Sequence, residues 1–272
     1  MRMAEQKIKV TSRTHILSSK QVDFLVVVFL LLVGSFIAYR INARNVLHGV
    51  LFLGIPSLYL FLRKKKNYSD IFWGVLLFGV LFGILFDILM VLNGAWQVPR
   101  PTFSLILFDT WVVDTIIGYV FMVLFTLVFY EHFLENKYHP RLSPRHSKIF
   151  FVLVLIDALV MIIAATSPDL LKFSYAYFWG GIAGVVFPLI FGFFNPKIIS
   201  KFASLSLFFF FVWFLLENVG MRLNGWVFSG TEYIGTVTLS GITFPIEEVL
   251  FWMIWYPAAI VAYYEYFVDD GR

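Results

Sequence analysis

Eight long apolar runs limit the folds that are open to this chain. They lie at about 22–39, 46–62, 72–92, 111–130, 149–166, 174–193, 203–221 and 245–265. A helix needs about 20 mainly apolar residues to cross the hydrocarbon core of a bilayer, and each run is close to that length. Charged residues make up only 14% of the chain, which is too few for the surface of a soluble domain. The sequence therefore predicts an all-α polytopic membrane protein with about eight transmembrane helices.

Several kinds of chemistry have no support in the sequence. The chain has no cysteine, which excludes disulfides and thiolate chemistry. The glycines of GGIAG (180–184) lie within a span and do not form a dinucleotide fingerprint. Aspartate-rich motifs for magnesium diphosphate are absent, and the five histidines lie in loops or at span ends. We therefore expect no cofactor and no metal.

The basic residues predict an orientation in the membrane and no nucleic-acid partner. Residues 1–20 are polar and basic, so we expect no cleavable signal peptide. One side, which includes both termini and the loops at 63–66, 137–148 and 197–201, carries 16 lysines and arginines, and the other side carries 5. Because cytoplasmic loops hold the excess of such residues, we predict a multi-pass protein of the cell membrane with both termini in the cytoplasm.

The two halves of the chain resemble each other. A shift of 130 residues superimposes GILFDILMVLNGAW (83–96) on VWFLLENVGMRLNGW (212–226), although the Asn-Gly dipeptides fall one residue out of register. The matched pairs are Asp87 with Glu217 and Trp96 with Trp226 and, at a later offset of 134, Asp114 with Glu248. Four spans in each copy would insert both copies the same way up.

This similarity predicts two tandem four-helix repeats. The first repeat covers 22–135 and the second covers 149–268. A cytoplasmic segment (1–21) precedes them, and a cytoplasmic linker (136–148) joins them. The sequence does not fix the oligomeric state.

Acidic residues inside the spans are the first candidates for function. They are Asp87, Asp114, Asp157, Glu217, Glu247 and Glu248. An ionised carboxylate is costly in hydrocarbon, and no lysine or arginine lies inside any span. Burial without a basic partner favours the neutral acid, which can donate a proton. Two carboxyl groups that face each other would share a proton.

Each acid also has a structural interpretation. Pro245 suits the first position of a helix, so Glu247 fits the third position, where an acid meets free backbone amides. Asp114 also lies near a helix start. Asp87 and Glu217 fit a proton pathway or hydrogen bonds to nearby asparagines. Asp157 lies in the middle of its span and has no acidic counterpart in the other half.

Aromatic residues accompany the acids. Trp96, Trp226, Phe228 and Tyr233 lie where an interfacial aromatic belt is expected, and packing is an alternative for each. Phe251 and Trp252 lie deeper, on the span that carries both glutamates. Aromatic faces stabilise cations, so acids beside aromatic rings are what carbocation chemistry in a dry pocket requires.

These residues form a recognisable pattern. ENVGMRLNGWVFSG, then YIG, TFPIEEVLFW and a closing YYE, resembles the lycopene cyclase domain, a family of small membrane carotenoid cyclases found as paired subunits or as one fused chain. The match is specific over 213–265 and looser over 83–133, and the two copies resemble the fused form. One departure is WVVD in the first copy where the second has PIEE.

The resemblance implies a lycopene β-cyclase. Such an enzyme needs no cofactor: an acid protonates the ψ end group of a lipophilic polyene, the cation cyclises, and a base removes a proton to leave a β ring. Glu247 and Glu248 match the family's paired acids, Glu217 matches its upstream acid, and Trp226 and Phe228 match its aromatic motif. The full set of predicted catalytic residues is Glu248, Glu247, Glu217, Asp114 and Asp87. The predicted substrate contacts are Trp226, Phe228, Trp96, Phe251, Trp252 and Tyr233.

Two alternatives stay open at this stage. The same pocket suits another acid-initiated isoprenoid reaction, such as carotenoid hydration or meroterpenoid cyclisation. A non-catalytic carotenoid-binding protein or a proton-coupled transporter is also compatible with the acids. A transporter would depend on an acid near the middle of the membrane, which makes Asp157 the residue that separates the two classes.

Overall fold

The computed structural model describes residues 18–63, 68–103, 105–107, 111–135 and 142–269. Within them, seven helices are long and apolar enough to cross a membrane, as expected of a multi-pass membrane protein. They are α1 (Ser19–Arg40), α2 (Asn45–Arg63), α3 (Tyr68–Leu92), α4 (Val113–Leu134), α5 (Arg145–Thr166), α6 (Ala176–Phe194) and α7 (Pro196–Arg222). Most of the predicted N-terminal segment and part of the predicted linker lie outside the described residues.

The eighth predicted span is a helix of a different character. Helix α8 consists of a π-helical stretch, Glu248–Trp255, followed directly by an α-helical stretch, Tyr256–Phe267. Glutamates, tyrosines and Pro257 make it less apolar than the other seven, so it is not counted among the helices suited to cross a membrane alone. Its α-helical part is mostly buried, since α4, α6 and α7 pack along it. Helices from both halves of the chain therefore pack around α8.

The outer surface of the bundle is apolar. Phe29, Leu155 and Phe193 expose 63%, 70% and 79% of their surface, and many other large apolar side chains are also exposed. Exposure on this scale is unfavourable in water and normal against lipid tails. The lipid-facing helices therefore need no continuous polar face.

Two short antiparallel hairpins add strand structure that the all-α prediction did not include. Strand β1 (Ile106–Leu107) pairs with β2 (Trp111–Val112) just before α4, and β3 (Thr236–Leu239) pairs with β4 (Ile242–Pro245) just before α8. They mark one end of the bundle, which we call the hairpin end.

The second hairpin corrects the predicted start of the last helix. Ser240 and Gly241, which connect β3 and β4, both have positive φ (53° and 76°), the geometry of a type I′ turn. Pro245 ends β4 and pairs with Thr236, so it does not open the helix as predicted. The helix begins after it, because the strand pairing extends through the proline.

At the hairpin end, the loop after α3 meets the loop after α7. The backbones of Gln97 and Val227 exchange two hydrogen bonds, each 2.9 Å between nitrogen and oxygen. Arg100 donates to the carbonyl oxygen of Leu223 at 2.9 Å. These contacts join segments that are more than 100 residues apart in the chain.

Reciprocal hydrogen bonds join the two halves at the opposite end, which we call the linker end. Tyr130 on α4 donates its hydroxyl to Glu265 on α8 at 2.5 Å. Tyr264 on α8 donates its hydroxyl to Glu131 on α4, also at 2.5 Å. Each helix thus supplies one donor and one acceptor, which fixes α8 against α4.

Candidate active site

A cavity of about 140 Å³ lies near the hairpin end and is lined by three acidic residues, Asp114, Glu217 and Glu248. Glu217 comes from α7 and Glu248 from α8. Much of the wall is aromatic, formed by Trp96, Tyr119, Tyr177, Trp226, Phe228 and Trp252. No lysine or arginine is found among the described residues that line it. The volume is close to that of an engineered apolar cavity that binds benzene, so the cavity suits a group about the size of one ring.

Glu248 is held in place by a tyrosine from another helix. It is the first residue of the π-helical stretch of α8 and is only 4% exposed. Tyr177, near the start of α6, donates its hydroxyl to Oε2 of Glu248. The bond fixes the orientation of the carboxyl group inside the cavity. π-Helical turns occur often at functional sites, because they change the direction of side chains within a helix.

Glu217 is held by a tryptophan from the loop that follows its own helix. The indole Nε1 of Trp226 donates to Oε2 of Glu217 at 2.5 Å. Gly220 makes room for this arrangement, because a Cβ atom there would lie 2.1 Å from the Trp226 ring. The glutamate and the indole therefore form one unit in the cavity wall.

Asp87 makes a weaker version of the same contact but does not line the cavity. It is fully buried on α3 and accepts a hydrogen bond from Nε1 of Trp96 at 3.4 Å. Its other oxygen, Oδ2, has no hydrogen-bond partner within the described part of the chain. Trp96 therefore lines the cavity, and Asp87 contacts Trp96 from outside the cavity.

Asp114 and Glu247 both bind the backbone of the loop that precedes their helix. Asp114 lines the cavity but accepts hydrogen bonds from the amides of Thr102 and Phe103, the second at 3.0 Å. Glu247 does not line the cavity and accepts from the amide of Ile234 at 2.7 Å. It makes no capping bond to its own helix, which is the structural role considered for it in the sequence. Both acids position loops.

The predicted aromatic contacts divide into two groups. Trp96, Trp226, Phe228 and Trp252 line the cavity, whereas Phe251 and Tyr233 do not. Phe251 packs against Gly181 on α6. Tyr233 donates its hydroxyl to the carbonyl oxygen of Ala95 at 2.5 Å. Burial raises the pKa of the Tyr233 phenol, so the group stays protonated and joins the two loops.

His48 is a cavity residue that the sequence interpretation did not select. It lies on α2, is 2% exposed, and stacks on Trp226 with ring centroids 6.0 Å apart and planes 14° apart. Its Nε2 atom is buried and has no hydrogen-bond partner among the residues described. A buried imidazole nitrogen with a free lone pair can accept a proton. His48 is the third residue of the predicted span 46–62, and its place at a span end gave no reason to select it.

Tyr119 and Tyr177 were also missed. Both line the cavity and are almost fully buried. Each lies within a predicted span, and a titratable side chain in an apolar run was the signal available for them and for His48. Asp157, on α5, is buried as well but lines neither this cavity nor the apolar cleft described below.

Comparisons with known proteins assign no family to this chain. No protein-family model, curated protein or solved structure matches it. The resemblance of its sequence motifs to lycopene cyclases therefore stays a prediction.

Proposed function

We propose that this chain is a lycopene β-cyclase, which converts the ψ end groups of a lipophilic polyene to β rings without a cofactor. The observation that carries the proposal is the pairing of Glu217 and Glu248 in one small aromatic cavity that has no lysine or arginine in its described lining. Two carboxylates cannot both ionise readily in such a place, so a proton is retained on the pair. Aromatic rings around the pair stabilise a carbocation and exclude water.

In the proposed reaction, Glu248 is the acid. It gives its proton to the terminal double bond of the substrate, which leaves a tertiary carbocation. The neighbouring double bond attacks this centre, closes a six-membered ring and moves the positive charge onto a ring carbon. The hydrogen bond from Tyr177 supports this role, because it holds the carboxyl group in one orientation.

His48 is the proposed base. Its Nε2 takes a proton from the carbon next to the cationic centre, and those electrons form the ring double bond. The face of Trp226, stacked on the imidazole, stabilises the imidazolium that results, and Glu217 keeps that indole in place. A proton then returns from His48 to Glu248, so substrate and product are isomers and no other reactant is needed.

We further propose the two tandem repeats, 22–135 and 149–268. Support comes from contacts that recur at the predicted offset of 130: an indole bonds to an acid in Trp96–Asp87 and again in Trp226–Glu217. The residues at 94 and 224 both have positive φ, and the backbones at 97 and 227 pair with each other.

The same comparison changes one predicted match. Asp114 shares its role, binding the amides of the preceding loop, with Glu247 and not with Glu248. This register gives Glu248 the counterpart Thr115, which also lines the cavity. In the proposal, only the second copy supplies the acid, and the first copy supplies His48 and Trp96.

The proposed setting is the cell membrane, with both termini in the cytoplasm. Support comes from the excess of lysine and arginine on one side of the predicted spans. Of these residues, Arg63, Arg145 and Lys201 lie at the linker end, where Arg63 and Lys201 pair with Asp23 and Glu135. The cavity then lies toward the outer face of the membrane.

The first experiment is expression in cells that accumulate lycopene, with chromatography of the pigments. We expect γ- or β-carotene from the natural chain and a loss of rate on the order of 10²–10⁴-fold for Glu248→Gln, since that substitution removes the transferable proton. Asp157→Asn is the matched control, because Asp157 is a buried acid outside the cavity.

The outcomes separate the functions. Full activity of Asp157→Asn together with loss in Glu248→Gln supports the cyclase. Hydroxylated pigment in place of rings points to hydration. Unchanged lycopene beside a correctly folded natural chain, or equal loss in both variants, contradicts the proposal.

A further inference from the structure

A second cavity, larger and almost wholly apolar, lies between α3, α5, α6 and α8. We call it the tail cleft; its volume is about 330 Å³. On α8 its lining extends from Phe251 to Phe267, about 24 Å along the helix axis. Helix α5 contributes Ile149, Leu153 and Ile156 on the opposite wall. The tail cleft is therefore long and has no charged residue in its described lining.

Glycines of the GGIAG segment on α6 shape the tail cleft. A Cβ atom at Gly181 would lie 2.1 Å from the Phe251 ring, so that glycine is needed for helix packing. A Cβ atom at Gly184 would meet nothing within 4 Å. Gly184 therefore borders empty space, and packing does not explain the lack of a side chain there.

The tail cleft meets the candidate active site at Trp252. This indole lines both cavities, and its Nε1 atom is buried without a hydrogen-bond partner in the described residues. Phe86 and Tyr256, each with its ring centroid 4.8 Å from that of Trp252, continue the same wall. One ring thus separates a polar aromatic cavity from an apolar cleft.

We infer that the tail cleft holds the linear isoprenoid chain of the substrate while its end group lies in the active-site cavity. This rests on the proposed function. The active-site cavity has room for about one ring, so the rest of a long polyene must lie elsewhere in the bundle. A conjugated chain is straight and apolar, which matches a cleft that is long, uncharged and separated from the reacting site only by the Trp252 side chain.

The test uses two substitutions at one glycine. Gly184→Leu puts a side chain into the tail cleft, and Gly184→Ala is the control for the change in helix propensity, since it adds little volume. Both purified variants are assayed on lycopene and on a short isoprenoid with the same ψ end group. We expect Gly184→Leu to lose at least about 10-fold of the rate on lycopene and to keep the short-substrate rate of Gly184→Ala.

A second variant guards against misfolding. Ile156→Trp fills the tail cleft from the α5 side, where Ile156 is 38% exposed, and it is expected to show the same dependence on chain length. A loss that is equal on both substrates, or no loss in either variant, overturns the inference.

Pigment retention separates this inference from the proposed function. In purified Glu248→Gln protein, bound lycopene is measured by absorbance with and without Gly184→Leu. If the natural chain forms no rings but Gly184→Leu still reduces the bound pigment several-fold, the inference that the tail cleft binds the polyene is supported and the cyclase proposal fails. If the natural chain cyclises lycopene and Gly184→Leu retains as much pigment as Gly184→Ala, the tail cleft inference fails.

Discussion

At the scale of single residues, the candidate site combines an acid and a base from opposite halves of the chain. Glu248 belongs to α8 and His48 to α2, and the hydroxyl of Tyr177 and the face of Trp226 fix their positions. In the proposed reaction, a carboxyl group with one fixed oxygen starts the cationic step, and an imidazole whose Nε2 has no partner among the described residues ends it in the same cavity.

This assignment predicts distinct products for variants of His48. His48→Phe keeps an aromatic ring on Trp226 but cannot take a proton, so we expect β-ring formation to fall about 10²-fold or more. The cation would then lose its proton elsewhere or capture water, and chromatography would show isomeric or hydroxylated end groups. His48→Gln, which keeps a polar atom and loses the stacking, is the comparison. An unchanged rate and unchanged products in His48→Phe would show that another group is the base.

At the scale of helices, close packing around glycines positions the site. Helix α6 approaches α8 at Gly181, and the Phe251 ring occupies the space where a side chain would lie. Lipid tails are as apolar as the protein interior, so such close contacts, and not the hydrophobic effect, hold membrane helices together.

The packing role of Gly181 can be separated from the cleft beside Gly184. Gly181→Ala forces Phe251 or the helix to move, and we expect it to lower the free energy of unfolding by about 1–3 kcal/mol. Gly184→Ala, one helical turn away, meets open space and is expected to unfold at the natural midpoint or slightly above it. Thermal unfolding in detergent compares the two. Equal midpoints would mean that the contact between α6 and α8 accommodates the added methyl group without a loss of stability.

At the scale of the whole molecule, the two halves are bound together at both ends. The pair of reciprocal tyrosine–glutamate bonds fixes the linker end, and the backbone pairing of Gln97 with Val227 fixes the hairpin end. The cavity between these ends takes residues from both halves.

The halves are therefore expected to assemble as separate chains. If the gene is divided within 136–148 and both parts are expressed together, we expect the two polypeptides to co-purify and to retain activity within about 10-fold. Tyr130→Phe and Tyr264→Phe remove the reciprocal bonds, and in the divided protein they are expected to weaken co-purification, since each lost bond leaves a half-buried carboxylate less well paired. Two halves that fold but do not associate would argue that the linker itself holds the structure.

The positions of the helices could be predicted from the sequence, but the side chains that face the cavity could not, for a physical reason. Hydropathy located the helices, and the acid–tryptophan spacing identified Glu217 with Trp226. Hydropathy did not indicate how each helix is rotated about its axis. A helix between lipid and an apolar core has no polar face, so the sequence does not show which side is buried. His48 and Tyr177 were missed for this reason, and Tyr233 and Asp87 were assigned to the cavity although they support it from behind.

The enclosed position of α8 has a consequence for biogenesis. Helix α8 follows the other seven helices in the chain, begins at Glu248 directly after Glu247, and is less apolar than those seven. Acidic residues raise the free energy of helix entry into the bilayer from the translocon, so we expect α8 to insert against helices that are already in the membrane. Among the described helices, α8 is synthesised after the other seven, so the acid of the proposed reaction would enter a site whose other walls are already made.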